Sequence, residues 1–136
     1  MTLRDLLQSK ALKMVTCRTT CHVSDAVTVM DGHNVGSILI LDLDDKLVGI
    51  FTERDLMHCF VKNISLREEK IVNVMTPNPI TLDSSAEISV AIKVMSENRI
   101  RHLPVIESGK LVGVVSYRYV VSCLLPEVTY MAEDIC

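Results

Sequence analysis

The chain has no tryptophan, and aromatic residues make up only 4% of it. Its core must therefore come from Val, Ile, Leu and Met, and platforms on which nucleic-acid bases could stack are scarce. There is no uninterrupted apolar run near the roughly 20 residues that cross a bilayer. The start, Met1-Thr2-Leu3-Arg4-Asp5-Leu6-Leu7, is amphipathic and carries an acid. It lacks the apolar block and small-residue cleavage site of a signal peptide, so the cytoplasm is the expected compartment and no membrane the expected partner. There is no basic stripe and the net charge is -3, which makes nucleic acid an unexpected partner, although a small anion could use a local basic pocket. No Cys-x-x-Cys pair occurs among the five cysteines at 17, 21, 59, 123 and 136. Cys17, Cys21 and His22, with His58 and Cys59, could be imagined as a zinc set. The plainer reading is small apolar residues in a reducing compartment, with no metal and no catalytic thiol.

What is present is a soluble globular composition, 49% apolar and 23% charged in 136 residues. That suits one ordinary domain or two small units sharing a core.

The chain repeats itself. Gly49-Ile50-Phe51-Thr52-Glu53-Arg54-Asp55 returns as Gly113-Val114-Val115-Ser116-Tyr117-Arg118-Tyr119, each led by Lys-Leu-Val. Upstream, Val29-Met30 matches Val94-Met95, Ser24 matches Ser89, and Val35-Gly36-Ser37-Ile38 matches Ile100-Arg101-His102-Leu103. One residue is lost between the copies where residues 41–45 face 106–109, which marks a turn. A repeat that occurs only twice suggests a pseudo-two-fold pair, each half covering the other's apolar face, and not a solenoid.

Each copy reads as β-α-β-β-α, giving an α/β fold with small sheets packed together and helices outside. Short strands are expected over 14–17 and 79–82. A helix follows, started by Ser24-Asp25 in the first copy and by Ser84-Ser85 with Glu87 in the second. Ala26, Val29 and Met30, and Ile88, Ala91, Ile92 and Met95, form the apolar faces. Two strands flank each turn, with Pro104 at a strand start or an edge because it cannot donate to a ladder. The closing helices begin at Thr52 and Ser116. A helix over 66–74 is expected to end at the stiff joint Met75-Thr76-Pro77-Asn78-Pro79, and residues 2–9 to be the matching helix of the first unit. The expected partition is 1–70, 71–125 and a tail at 126–136.

The strand-to-helix junction carries the chemistry. A helix start offers free N–H groups to a phosphate, Thr52 a hydroxyl and Arg54 a cation. Asp55 can accept from the vicinal hydroxyls of a ribose. Thr-x-x-Asp at a helix start also reads as a plain cap. Tyr119, standing where the first copy has Asp55, cannot accept two hydrogen bonds from a diol. Arg54 could instead pair with Glu53 or Asp55 on the surface. His102 reads equally as a ligand contact or as a half-buried histidine bonded to backbone.

Taken together, residues 49–55, 113–119, Arg101-His102-Leu103-Pro104-Val105, Met75-Thr76-Pro77-Asn78-Pro79 and Val35-Gly36-Ser37-Ile38 resemble a tandem pair of cystathionine β-synthase (CBS) domains, a Bateman module, over roughly residues 5 to 125. The resemblance implies a regulatory module without catalytic activity. It implies an adenine nucleotide (AMP, ADP or ATP) or S-adenosylmethionine as regulatory ligand, no catalytic cofactor, a homodimer, and a protein target that reads a conformational change.

The resemblance also implies two clefts. The first takes Thr52, Arg54 and Asp55 with Thr76, Asn78, Pro79, Ile80, Arg101, His102, Leu103 and Pro104. Within it Asp55 holds the ribose, Thr52 and Arg54 the phosphate end, and the backbone near Ile80 and Leu103 the adenine edge. The second takes Ser116, Arg118 and Tyr119 with Lys13, Val15, Thr16, Gly36, Ser37 and Ile38, and lacks the ribose carboxylate. One strong and one weak or empty site per chain is expected. A structural dimerisation module with vestigial clefts is the alternative.

Overall fold

The computed structural model of the chain describes residues 1–9 and 14–124. Lys13 and the 126–136 tail lie outside the described residues. The chain divides into two compact units, one of Lys13–Pro79 and one of Met1–Leu12 with Ile80–Cys136.

In the Lys13–Pro79 unit the order is β1 (Thr16–Arg18), α2 (Val23–His33), β2 (Ser37–Leu41), β3 (Leu47–Thr52), α3 (Glu53–Val61), a 3-10 turn at Ile71–Asn73, and β4 (Thr76–Pro77). The sheet runs β1-β2-β3-β4, with β1 parallel to β2 and the other pairs antiparallel. In the other unit α1 (Leu3–Ser9) accompanies β5 (Leu82–Asp83), α4 (Ile88–Asn98), β6 (His102–Glu107), β7 (Lys110–Ser116) and α5 (Tyr117–Leu124), with sheet order β5-β6-β7. The expected β-α-β-β-α pattern is therefore present twice. Both copies bulge at the same place, between Ile40 and Leu41 and between Val105 and Ile106.

Alternation along the strands places the cores. In the first unit Ile38, Ile40 and Phe51 meet Val23, Ala26 and Met30 of α2, Cys59 of α3 and Ile71. In the second, Leu103, Val105 and Val115 meet Ile88, Ala91 and Met95 of α4, Val120 of α5, and Leu3 and Leu6 of α1. Helix periodicity and strand alternation each turn one apolar face inward.

Three expectations need correction. The helix over 66–74 does not form; that stretch is turns followed by the 3-10 segment. Its backbone is committed elsewhere: the carbonyls of Leu66 and Glu69 accept from Ser24 (2.7 Å) and Val23 (3.0 Å), and Ile71 N–H donates to Cys21 (2.9 Å). This also explains the second correction. The first turn of α2 is seated by those carbonyls, so Ser24 is not its cap; the cap position is His22, with no side-chain hydrogen bond. The cap of α4 is Glu87, likewise without one, and Ile88 N–H donates to Met1 (3.0 Å).

Third, the helix over 2–9 packs with the second copy, not the first. Leu3 N–H donates to Ala86 (2.9 Å) and Arg4 N–H to Ser84 (2.8 Å). Thr2 bridges Glu87 just as Lys70 bridges His22. In space, each copy is completed by the segment that leads, in sequence, into the other. Two glycines record this closeness. A Cβ on Gly49 would strike the Met75 thioether, and one on Gly113 would sit 2.8 Å from a Leu7 methyl.

Pro104 is the third residue of β6 and not its start, yet it meets the edge condition. Pairing with β5 begins only at Val105, so at Pro104 the strand has β7 alone beside it. Pro77, expected in a stiff joint, lies in the short edge strand β4, opposite Gly49.

A polar network ties α1 down. Arg4 Nε donates to Glu107 Oε1 (2.7 Å) and Arg4 also donates to Ser84 Oγ (3.1 Å). The buried Ser84 hydroxyl donates to the same Glu107 oxygen (2.7 Å). These hydrogen bonds, first that from Ser84 and then that from Arg4, hold the Glu107 carboxyl below its ordinary range. Bonds from Ser85 do the same for Asp83, and bonds from Thr2 for Asp5.

Two tests follow from this arrangement. Leu3→Ala should cost about 2–5 kcal/mol, as deletion of a fully buried leucine does. Hydrogen exchange should then rise first across residues 82–124; a rise confined to 16–52 would contradict the packing of α1. Because the folded-state pKa values of Glu107, Asp83 and Asp5 are depressed, their stabilisation is present above the ordinary carboxylate range and lost as pH falls through and below it. Melting temperature should therefore fall between about pH 5 and pH 3, and fall less steeply in Glu107→Gln; an equal slope in both proteins would contradict the network.

Candidate functional site

The α3 junction brings Thr52, Asp55 and Thr76 together. Thr52 ends β3 in extended conformation and caps α3 in a reciprocal box. Thr52 N–H donates to Asp55 Oδ2 (2.9 Å), the Thr52 hydroxyl donates to the same oxygen (3.2 Å), and Asp55 N–H donates to Thr52 Oγ1 (3.4 Å). The Thr76 hydroxyl, on the neighbouring edge strand, donates to Asp55 Oδ1 (3.1 Å). Asp55 is thus both a cap and the centre of a hydroxyl cluster. A carboxylate has about four acceptor positions, and three are filled. Two of those three donors are hydroxyls that can rotate away, so a diol could replace them without breaking the backbone half of the cap.

The helix end offers fewer free amides than its position suggests. Glu53 N–H donates to Gly36 (3.2 Å) and Asp55 N–H is capped. The Arg54 N–H and its exposed guanidinium remain as donors, and Arg54 makes no ion pair among the described residues, so the expected alternative of pairing with Glu53 or Asp55 is not realised. Asn78 follows in left-handed conformation (φ 48°), a region Asn tolerates, with its N–H on Val48 (3.0 Å). Pro79 is half-buried and closes this group.

The remaining first-cleft residues lie in the other unit. Ile80 is 39% exposed. Arg101 is exposed and carries no ion pair among the described residues; its carbonyl accepts from Tyr117 N–H (2.8 Å). His102, half-buried, pairs with Ser116 at the start of β6. Leu103 and Pro104 are buried, Leu103 wholly in the core, so any contribution from Leu103 is by its backbone.

Register exposes a difference between the copies that composition could not show. In the first, Leu39 N–H donates to the Val15 carbonyl (3.1 Å). The matching pair in the second is Pro104 and Ile80, and proline has no N–H. Among the described residues the Ile80 carbonyl accepts no hydrogen bond, whereas that of Val15 is occupied.

The second set is poorer. Ser116 accepts from Tyr119 N–H (3.2 Å), half of a capping box, with no carboxylate to return the bond. The Tyr119 ring is partly buried against the core of its unit. Ile38 is fully buried in the core and Ser37 nearly so, so the Ile38 side chain is not available to a ligand. Val15 packs partly on that core, Gly36 is occupied as the acceptor for Glu53, and Thr16 is exposed on β1. Arg118 is exposed, and Lys13 lies outside the described residues.

The cysteines form no metal set: no group of three or more His, Cys, Asp or Glu comes together among the described residues. Cys17 and Cys21 are hydrogen-bonded neighbours, and burial first, with Cys21 second, pushes the Cys17 thiol up to about 12. A thiol so protonated is a poor nucleophile. Cys59 is core. No helix among the described residues is long and apolar enough to cross a membrane.

Comparison with known proteins agrees with these features. The family model for the CBS domain matches twice, over residues 3–62 and 71–126. A mitochondrial CBS domain-containing protein of Arabidopsis thaliana is 34% identical over 135 residues; the match covers 93% of this chain and 66% of that protein, so the chain spans just under two thirds of its length. The solved structure of a putative signal-transduction protein with CBS domains from Burkholderia ambifaria superposes with a TM-score of 0.86 at 27% identity, covering 93% of this chain and 96% of that one. The structure of CBSX2 in complex with AMP gives 0.73 at 28% identity, covering 93% and 97%. With two matched copies filling nearly all of its length and the fold of solved CBS pairs, the chain belongs to the CBS domain family.

Proposed function

We propose that the chain is a regulatory module that binds one adenosyl ligand, an adenine nucleotide or S-adenosylmethionine, and passes a conformational change to a protein partner. The observation that carries this reading is the Asp55 carboxylate, ringed by rotatable threonine hydroxyls beside the unpaired Arg54, set against a copy in which Tyr119 replaces it. The AMP complex of a protein 28% identical supports the ligand class.

In this reading Asp55 accepts from the ribose diol, releasing the Thr76 and Thr52 hydroxyls, and Thr52 then turns to the phosphate. Arg54 supplies the cation, with Arg101 as a second. Asn78, Pro79 and Ile80 lie at the base with His102, Leu103 and Pro104. The free Ile80 carbonyl accepts from the exocyclic amine of adenine. The set around Ser116, Arg118 and Tyr119 is weak or empty. Such a module signals only if its ligand favours one conformation over another. The reading is of a homodimer without catalytic activity. Its compartment is proposed to be the cytoplasm, with a mitochondrial location as the alternative because the Arabidopsis relative bears that name.

Titration calorimetry with AMP, ADP, ATP and S-adenosylmethionine tests the ligand class. Asp55→Asn keeps a side-chain oxygen for the cap but loses the charge and an acceptor. It should remain folded by circular dichroism and bind the preferred ligand about 10- to 100-fold more weakly. Unchanged affinity would remove Asp55 from the site; no binding of any adenosyl compound by the folded wild type would favour a dimerisation module with vestigial clefts. Inosine monophosphate offers an oxygen where AMP offers an amine, so it should bind at least about tenfold more weakly than AMP. Equal affinity would contradict the role given to the Ile80 carbonyl.

A further inference from the structure

The two oxygens of Asp55 are engaged differently. Oδ2 accepts the Thr52 N–H (2.9 Å) and the Thr52 hydroxyl (3.2 Å), both within the cap of α3. Oδ1 accepts the Thr76 hydroxyl (3.1 Å), which comes from a strand 21 positions further along the chain. One acceptor position of the carboxylate stays open. A single hydroxyl from a ligand fits that position and displaces nothing. A vicinal diol brings two donors, so at least one resident donor must leave. Rotation of the Thr52 hydroxyl leaves the Thr52 N–H on Asp55, and the cap keeps its backbone half. Departure of the Thr76 hydroxyl unties a separate element.

That element has few other ties. Strand β4 is two residues long, and one of them, Pro77, has no N–H to give to the ladder. Thr76 itself is exposed. The segment that leads into β4 is the one that starts α2. Met75 N–H donates to the Ile71 carbonyl (2.9 Å) and Ile71 N–H to that of Cys21 (2.9 Å). The carbonyls of Glu69 and Leu66 hold the Val23 and Ser24 N–H groups. All of these residues belong to the Lys13–Pro79 unit.

We propose that Thr76 turns occupancy of Asp55 into movement. Its hydroxyl competes with a ribose diol for the carboxylate, and its release loosens β4 and, through residues 66–75, the first turn of α2. The proposal rests on the adenosyl reading above and adds where the conformational change begins and which element carries it. In the free chain the closed Thr76–Asp55 bond lowers the apparent affinity, because only the open fraction is ready for the diol.

Thr76→Val keeps a β-branched shape suited to a strand and removes the donor, whereas Thr76→Ser keeps the donor. In calorimetry Thr76→Val should bind AMP about 3- to 10-fold more tightly than the wild type, and Thr76→Ser about as the wild type does. Amide exchange at Val23, Ser24 and Ile71, followed by NMR, reads the start of α2. It should be at least about threefold faster in free Thr76→Val than in the free wild type, and should rise in the wild type when AMP saturates it. The 2′-deoxy analogue of AMP at saturation, with one hydroxyl for the open position, should leave those amides as they are in the free chain. This comparison of two ligands on the wild type stands without either variant. Equal or weaker binding of AMP by a Thr76→Val chain that is folded by circular dichroism would overturn the competition. An equal rise with both ligands, or no rise with AMP, would overturn the path from the diol to α2. Either result leaves the adenosyl reading standing. A wild type that binds neither AMP nor S-adenosylmethionine would overturn that reading and the proposal with it.

Discussion

The fold depends on how the first helix of each copy is started. Neither α2 nor α4 has a side chain capping its N-terminus. Their orphan amides are satisfied by backbone carbonyls from a distant segment: Glu69 and Leu66 for α2, Met1 for α4. Unmet buried amides are costly, so these bonds fix where the leading segments lie. With Met1 seated on Ile88, Leu3 and Leu6 enter the core of the second copy; with Glu69 seated on Val23, Ile71 enters the core of the first. The close approaches of Leu7 to Gly113 and Met75 to Gly49 follow from the same placement. The segment that ends on Met75 continues as β4 and delivers Thr76 to Asp55. A bond that starts a helix thereby positions a side chain of the candidate site.

The two copies of one architecture differ at a few matched positions. Where the first copy has a carboxylate, the second has a ring turned to its own core; where the second has a proline, the first has an N–H that occupies the carbonyl before it. Under the proposed function both differences set apart groups suited to a nucleoside from groups that are not. Duplication supplies the frame, and a handful of unmatched residues sets the two candidate sets apart.

Much of this was legible in the sequence. The twofold repeat, the β-α-β-β-α order and the turn that absorbs the lost residue are all present because periodicity and turn chemistry are local signals. Thr52-x-x-Asp55 was legible as either cap or grip, and the structure shows the cap in place with hydroxyls around it. The helix over 66–74 was not legible as turns, because the hydrogen bonds that replace it come from Val23 and Ser24, more than forty positions away. Nor was the allegiance of α1, since Leu3 and Leu6 have the spacing of any amphipathic helix and nothing in that spacing names the core they fill. The free Ile80 carbonyl needed the register of β5 against β6 before the meaning of Pro104 appeared.

The central claim is that the two copies are unequal and only one set of residues is equipped for a nucleoside. Counting ligands by native mass spectrometry tests it most directly. With AMP raised through saturation, the expected result is one bound molecule per chain, with a second appearing only at concentrations at least about tenfold higher, as the missing carboxylate requires. Two molecules bound together with equal affinity, or none at any concentration, would contradict it.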